Sequence, residues 1–151
     1  MSVGESHPDN LTQLVEYFFE KFGLKYKMRQ QNPVTLPNHS EPEPDLVVVA
    51  RKDYGPKNGH PQPEDICLLV EISQSTLRYD RGSKARAYAL AGVKEYWIVN
   101  LENDQLEMHL QPDVSVGVYK TVGIFSREES FDSPFCGPVR VNDLLPSVEE
   151  E

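Results

Sequence analysis

The sequence predicts an α/β protein with a mixed β-sheet flanked by α-helices. Three observations carry that expectation: an amphipathic segment near the N-terminus, two wholly apolar runs of strand length in the middle, and a second helical segment running straight into another apolar run. Helix, strands, helix, strands is the order of a sheet whose faces are covered by helices. At 151 residues the chain suits a single domain, 1–151, around one core, ending in an acidic tail over 147–151.

Asn10 with Gln13 three residues on reads as a helix N-cap, and Leu11, Leu14, Val15, Phe18 and Phe19 follow at helical spacing until Gly23. Residues 25–31 alternate weakly as a strand, broken at Pro33 and Pro37. An acidic, proline-rich stretch, 41–44, leads into the first apolar run, 46–50 (LVVVA). The second is 66–70 (ICLLV), and both read as strands buried on two faces. Between them, 51–64 carries Gly55, Pro56, Gly59, Pro61 and Pro63, a long exposed loop. A turn on Ser73, Ser75 and Thr76 caps a helix that runs to about Ala91 and stops at Gly92. Residues 96–99 form a strand, turned back through 100–104 into 105–110. Residues 116–122 add one more strand, and the remainder ends in a short strand over 139–141.

Asp45 opens the first apolar run and Glu71 closes the second. If the two strands pair antiparallel, both carboxylates reach one rim of the sheet. Ionised carboxylates at the end of a buried sheet repel each other and lose hydration, so they call for a counter-charge, which a hard cation such as Mg²⁺ supplies. The plainer alternative is two strand-end charges facing water. On the following helix Thr76, Asp80, Lys84 and Tyr88 recur every fourth residue and share one face. An Asp80–Lys84 ion pair alone would contribute only a few tenths of a kcal/mol.

The ordered set Pro44-Asp45, Glu71, Ser73, Ser75-Thr76, Asp80, Lys84, Tyr88, Gly92 and Tyr96-Trp97 resembles the Uma2-type endonuclease family, a bacterial branch of the restriction-endonuclease-like, PD-(D/E)XK superfamily. The resemblance extends over about residues 5–145. It implies a restriction-endonuclease-like fold and Mg²⁺-dependent hydrolysis of DNA, with Mn²⁺ as a substitute. Asp45 and Glu71 would be the metal ligands, assisted by a backbone carbonyl near Ile72. Ser73 stands where the superfamily motif has its lysine, and the resemblance assigns that role to Lys84 on the next helix, held in place by Asp80 and Tyr88. Two departures set the alternatives. Gln74 replaces the usual proline, and the acidic hairpin that commonly precedes the first helix is missing, which leaves a nuclease-like binding or assembly module without turnover as the second reading. A glycosidase using the same two carboxylates would give Lys84 no role and ranks last.

A net charge of −9 runs against nucleic-acid binding. Between 78 and 94, however, Arg78, Arg81, Lys84, Arg86 and Lys94 face only Asp80, a local basic segment beside the expected metal site; a helix face laced with ion pairs is the plainer reading of it. No apolar run reaches membrane-spanning length and the N-terminus has no signal-peptide pattern, so a cytoplasmic protein with Cys67 and Cys136 as free thiols is expected. His7 coincides with a histidine that recurs in the family, but a lone histidine near a helix start caps or packs more often than it reacts. Cutting a duplex takes two centres or two encounters, which suggests a homodimer, with strand 96–100 and its hairpin as the contact.

Overall fold

A computed structural model describes residues 7–148. Helix α1 (His7–Phe22) is followed by strands β1 (Tyr26–Gln30), β2 (Leu46–Ala50) and β3 (Ile66–Ser73). A crossover helix spans 77–90, α-helical over Leu77–Tyr79 and Ala85–Leu90 with a π turn over Asp80–Lys84 between them. Then come β4 (Glu95–Asn100), β5 (Gln105–Asp113), β6 (Val118–Ser126), β7 (Ser130–Ser133) and β8 (Gly137–Arg140). The first six strands form one sheet in sequence order. Its pairs are antiparallel except β3–β4, which the crossover helix makes parallel. The remaining two pair as a separate hairpin.

Strand alternation divides the core between the two faces of the sheet. Leu46 and Val48 of β2, with Leu68 and Val70 of β3, pack under α1 beside Leu14, Phe18 and Trp97. Val47 and Val49, with Leu69, Tyr96 and Ile98, face Ala85, Tyr88 and Ala89 of the crossover helix. Both faces of β2 and β3 are covered, which is why these strands are continuous apolar runs. The β7–β8 hairpin closes the α1 side, where Phe131 meets Trp97 edge-on, ring centres 5.3 Å apart. Buried Glu95 ties that hairpin to β4, accepting hydrogen bonds from Trp97 Nε1 (2.8 Å), Ser133 Oγ (2.6 Å) and the Phe135 amide (3.1 Å).

Several sequence expectations are corrected here. Helix α1 starts three residues before Asn10, with Pro8 in its first turn where a missing N–H costs nothing. Asn10 is therefore a buried tie rather than a cap, its amide donating to Leu144 O at 2.9 Å. The second apolar run continues as strand through Glu71 to Ser73, so Glu71 lies inside β3 and is paired with Ile98. Strand β7 was not foreseen. Its sequence, SFDS, has one large apolar residue and little strand signal of its own. Every residue of β4 is buried between β3 and β5, so strand 96–100 cannot present a dimer contact. The acidic end over 149–151 lies outside the described residues.

Candidate active site

The register of β2 on β3 pairs Leu46 with Val70 and thereby carries Asp45 to Glu71. Both strands are held in that offset by the two cores behind the rim, since a slip of one would exchange the residues packed under α1 with those packed under the crossover helix. The backbone locks the pair. The Asp45 amide donates to Glu71 Oε1 at 3.1 Å, and the Ile72 amide donates to Asp45 Oδ2 at 2.7 Å. By alternation from Val47 and Leu69, both carboxylates belong to the face covered by the crossover helix.

That helix supplies the rest of the site. Lys84 Nζ lies 3.1 Å from Glu71 Oε2 and 3.5 Å from Asp80 Oδ1. Tyr88 donates its hydroxyl to Glu71 Oε2 at 2.7 Å. Thr76 Oγ1 donates to Asp80 Oδ2 at 2.8 Å, and the Tyr96 hydroxyl donates to the Asp80 carbonyl at 2.9 Å. A spacing of four overshoots one α-helical turn and falls short of one π turn, so the π turn over Asp80–Lys84 counters the drift that would otherwise carry these side chains round the helix. Thr76, Asp80, Lys84 and Tyr88 remain aligned on the rim.

The structure thus brings Asp45, Glu71, Lys84, Asp80 and Tyr88 together, and it changes two details. Tyr88 engages Glu71 rather than Lys84. The Asp80–Lys84 pair is no exposed surface contact: Glu71 and Asp80 are each 1% exposed, and the Lys84 side chain 27%. The Ile72 group seen at the site is its N–H. Thr76 donates to Asp80 instead of capping the helix, and Tyr96 supports Asp80 from the neighbouring strand.

Burial dominates the electrostatics. It raises the Glu71 carboxyl, Lys84 opposes the rise and Asp45 adds to it, leaving the group at about 7. Burial works against the Lys84 ammonium, but Glu71, Asp80 and Asp45 together outweigh it and hold its pKa above the usual lysine value. Burial and Glu71 push the Tyr88 phenol up as well, so it stays a hydrogen-bond donor.

Two strands further along the same sheet face is a second buried acid. Glu71 pairs with Ile98, and Ile98 with Glu107. Arg81 donates from both Nε (2.7 Å) and Nη2 to Glu107 Oε2, and His109 Nε2 lies 3.4 Å from Oε1. Burial raises this carboxyl too, but the contacts of His109 and Arg81 outweigh burial and its pKa lies below the usual value. Sequence alternation places Glu107 and His109 on the polar face of β5, and nothing local signals that the crossover helix buries that face.

The donor set fits a hard divalent cation. Asp45 and Glu71 bring carboxylate oxygens to one rim, and Glu71 Oε1 keeps a lone pair beyond the hydrogen bond it accepts from the Asp45 amide. Among the described residues no group of three His, Cys, Asp or Glu side chains gathers as a metal site. Two carboxylates completed by water and substrate phosphate is the coordination Mg²⁺ favours.

A mixed six-stranded sheet flanked by helices, with paired carboxylates on one rim, defines the restriction-endonuclease-like class. The chain belongs to the Uma2 family, described as "Putative restriction endonuclease", whose pattern it matches over residues 4–140. It is similar in fold to a crystal structure from Anabaena variabilis described as a "putative nuclease", with 14% identity, a TM-score of 0.72, and coverage of 95% of this chain and 82% of that one. The type IIG restriction endonuclease BpuSI aligns at 16% identity and a TM-score of 0.44, over 94% of this chain and 15% of its own. A comparison with functionally characterised proteins finds no match. No described helix is long and apolar enough to cross a membrane.

Proposed function

We propose that this chain is a Mg²⁺- or Mn²⁺-dependent endonuclease that hydrolyses phosphodiester bonds in DNA. The supporting observation is the convergence of Asp45 and Glu71 on one rim with Lys84 Nζ 3.1 Å from Glu71. When bound, the divalent ion would supply a Lewis acid and an activated water. Asp45 and Glu71 hold it, and the backbone amides of Ile72 and Asp45 keep the two carboxylates facing each other. Lys84, anchored by Asp80, places a positive charge beside the reacting phosphate, where it stabilises the charge that grows in the transition state. Tyr88 keeps Glu71 in the rotamer that faces Asp45. With its pKa raised to about 7, the Glu71 carboxyl holds a proton in part of the molecules at neutral pH, and holding a cation would release it.

The test is cleavage of supercoiled plasmid and of labelled single-stranded, duplex and branched DNA with Mg²⁺ or Mn²⁺. Wild type should cut, and Asp45→Asn and Glu71→Gln should not. Lys84→Ala should cut at least a hundredfold more slowly, with metal binding by calorimetry retained. A wild type inert on all these substrates would replace the nuclease reading with that of a binding module. For a duplex break we place the second centre in another copy of the chain. Sedimentation showing only monomer at high micromolar concentration rejects that pairing.

A further inference from the structure

The cations of the crossover segment are mostly engaged within the protein. Arg81 is held by Glu107, and Lys84 by Glu71 and Asp80. Arg86 Nη1 donates to Val116 O at 3.0 Å. Lys94 precedes β4, at the end of the sheet opposite Asn100 and Ser73. The basic segment read from the sequence is therefore not one DNA-facing patch. A different set of cations stands on the site's own sheet face, on the other side of Asp45.

Lys27 and Arg29 of the edge strand β1 pair with Val49 and Val47, which face the crossover helix. Arg29 thus lies one strand over and two residues along from Asp45. Lys27 follows at about 6.7 Å, the two-residue repeat of a strand. With Lys52 they surround one aromatic ring: Lys27 Nζ, Arg29 Cζ and Lys52 Nζ lie 5.7, 5.4 and 5.7 Å from the centre of Tyr54. The Tyr54 hydroxyl donates to Ala50 O at 2.6 Å and fixes the ring at the end of β2. Lys52 is paired with Asp65 at 2.6 Å, while Lys27 and Arg29 have no carboxylate at ion-pair distance among the described residues. Arg29 Nε is buried without a hydrogen-bond partner. Three cations on one ring repel one another, and the ring's quadrupole offsets only part of that. An anion laid across them completes the balance.

We propose that Lys27, Arg29 and Lys52, arranged by Tyr54, form a track for the DNA phosphate backbone leading away from the cut site. This rests on the reading of the chain as a DNA nuclease. The ring is covered by cations and half-buried, so it orders the cations and does not stack bases. The track therefore reads charge and spacing, not sequence.

The test is fluorescence anisotropy of labelled duplex DNA over a salt series in EDTA, where no cleavage occurs. Lys27→Gln/Arg29→Gln, which keeps the bulk of both side chains, should bind at least tenfold more weakly at low salt. Its plot of log affinity against log salt should be shallower by about 1.8, at about 0.9 per phosphate contact. The loss should be equal on two unrelated sequences, while Lys94→Ala binds as wild type. Melting curves establish that each variant is folded, with Lys27→Ala/Arg29→Ala as a second pair. Wild-type slope and affinity in both folded double variants, or a loss confined to one sequence, overturns the track. Wild type that binds DNA on this surface but never cuts it sustains the track and removes only the nuclease activity. Wild type that binds no DNA removes both.

Discussion

Glu71 and Glu107 occupy the same row of the same sheet face, each 1% exposed, with Ile98 between them, yet their chemistry diverges. Glu107 receives two N–H groups of one guanidinium and has His109 at its other oxygen, and its carboxyl is held below the usual range. Glu71 shares a single ammonium with Asp80 and stands beside a second acid, Asp45, and its carboxyl rises to about 7. His109 and the Arg81 guanidinium together outweigh the cost of burial at Glu107, where the ammonium that Glu71 shares with Asp80 does not. The lesson is that Glu107 is electrostatically closed, whereas Glu71 remains short of positive charge. That deficit is what a divalent cation would relieve.

The contrast can be broken first at the closed acid. Arg81→Ala leaves the buried Glu107 carboxylate with His109 alone and should cost on the order of 1–2 kcal/mol, read as a lower denaturant midpoint with an unchanged m-value. Cleavage per folded molecule should fall far less than it does in Lys84→Ala. A loss under about 0.5 kcal/mol would show that Glu107 does not depend on the fork.

Lys84→Ala should separate stability from turnover. The sequence alone predicts that this change barely affects the fold. The buried setting of Glu71 and Asp80 predicts a measurable loss, on the order of 1 kcal/mol, limited because Glu71 takes up a proton near neutrality. Cleavage should drop by a hundredfold or more, about 2.7 kcal/mol in barrier height. Equal cleavage by folded Lys84→Ala and wild type removes lysine from the chemistry.

Titration sharpens the same comparison. Glu71 binds its proton more tightly in the folded chain, its pKa raised from 4.5 to about 7. Its contribution to metal-free stability therefore falls as pH rises from 4.5 through 7 and levels off above, by on the order of 3 kcal/mol. Glu107 acts in the opposite sense: its lowered pKa adds stability above the usual carboxylate range that is lost as pH falls through the folded value. Urea unfolding across pH should show the Glu71 decline flattened in Glu71→Gln, and Mg²⁺ should oppose it in wild type. A decline of equal size in Glu71→Gln assigns it to another group.

Tyr88→Phe is the mildest change. Losing the 2.7 Å hydrogen bond should raise the Glu71 carboxyl further, cost about 1 kcal/mol, and shift metal binding to higher pH without abolishing it. Calorimetry at two pH values reads that shift, and an unshifted profile would show that Tyr88 only fills space.

Local sequence was enough to foresee the helices, the two apolar strands and the rim pairing of Asp45 with Glu71, because each rests on a short-range pattern: helical spacing, a run of apolar residues with a turn-rich loop, and a charge at the run's end. Spacing of four placed Lys84 on the right face, although the π turn that keeps it there leaves no sequence signal. Tertiary structure alone decided the rest. Glu107 and His109 read as the polar side of an alternating strand and became interior groups only when the crossover helix covered that face. Likewise Asn10 read as a cap and became a tie to Leu144, and Lys84 changed from a surface ion pair to the shared counter-ion of two buried acids. The physical reason is common to all three. Periodicity records which side of an element a residue occupies, whereas burial, and with it the strength of every charge, depends on what a distant part of the chain lays over that side.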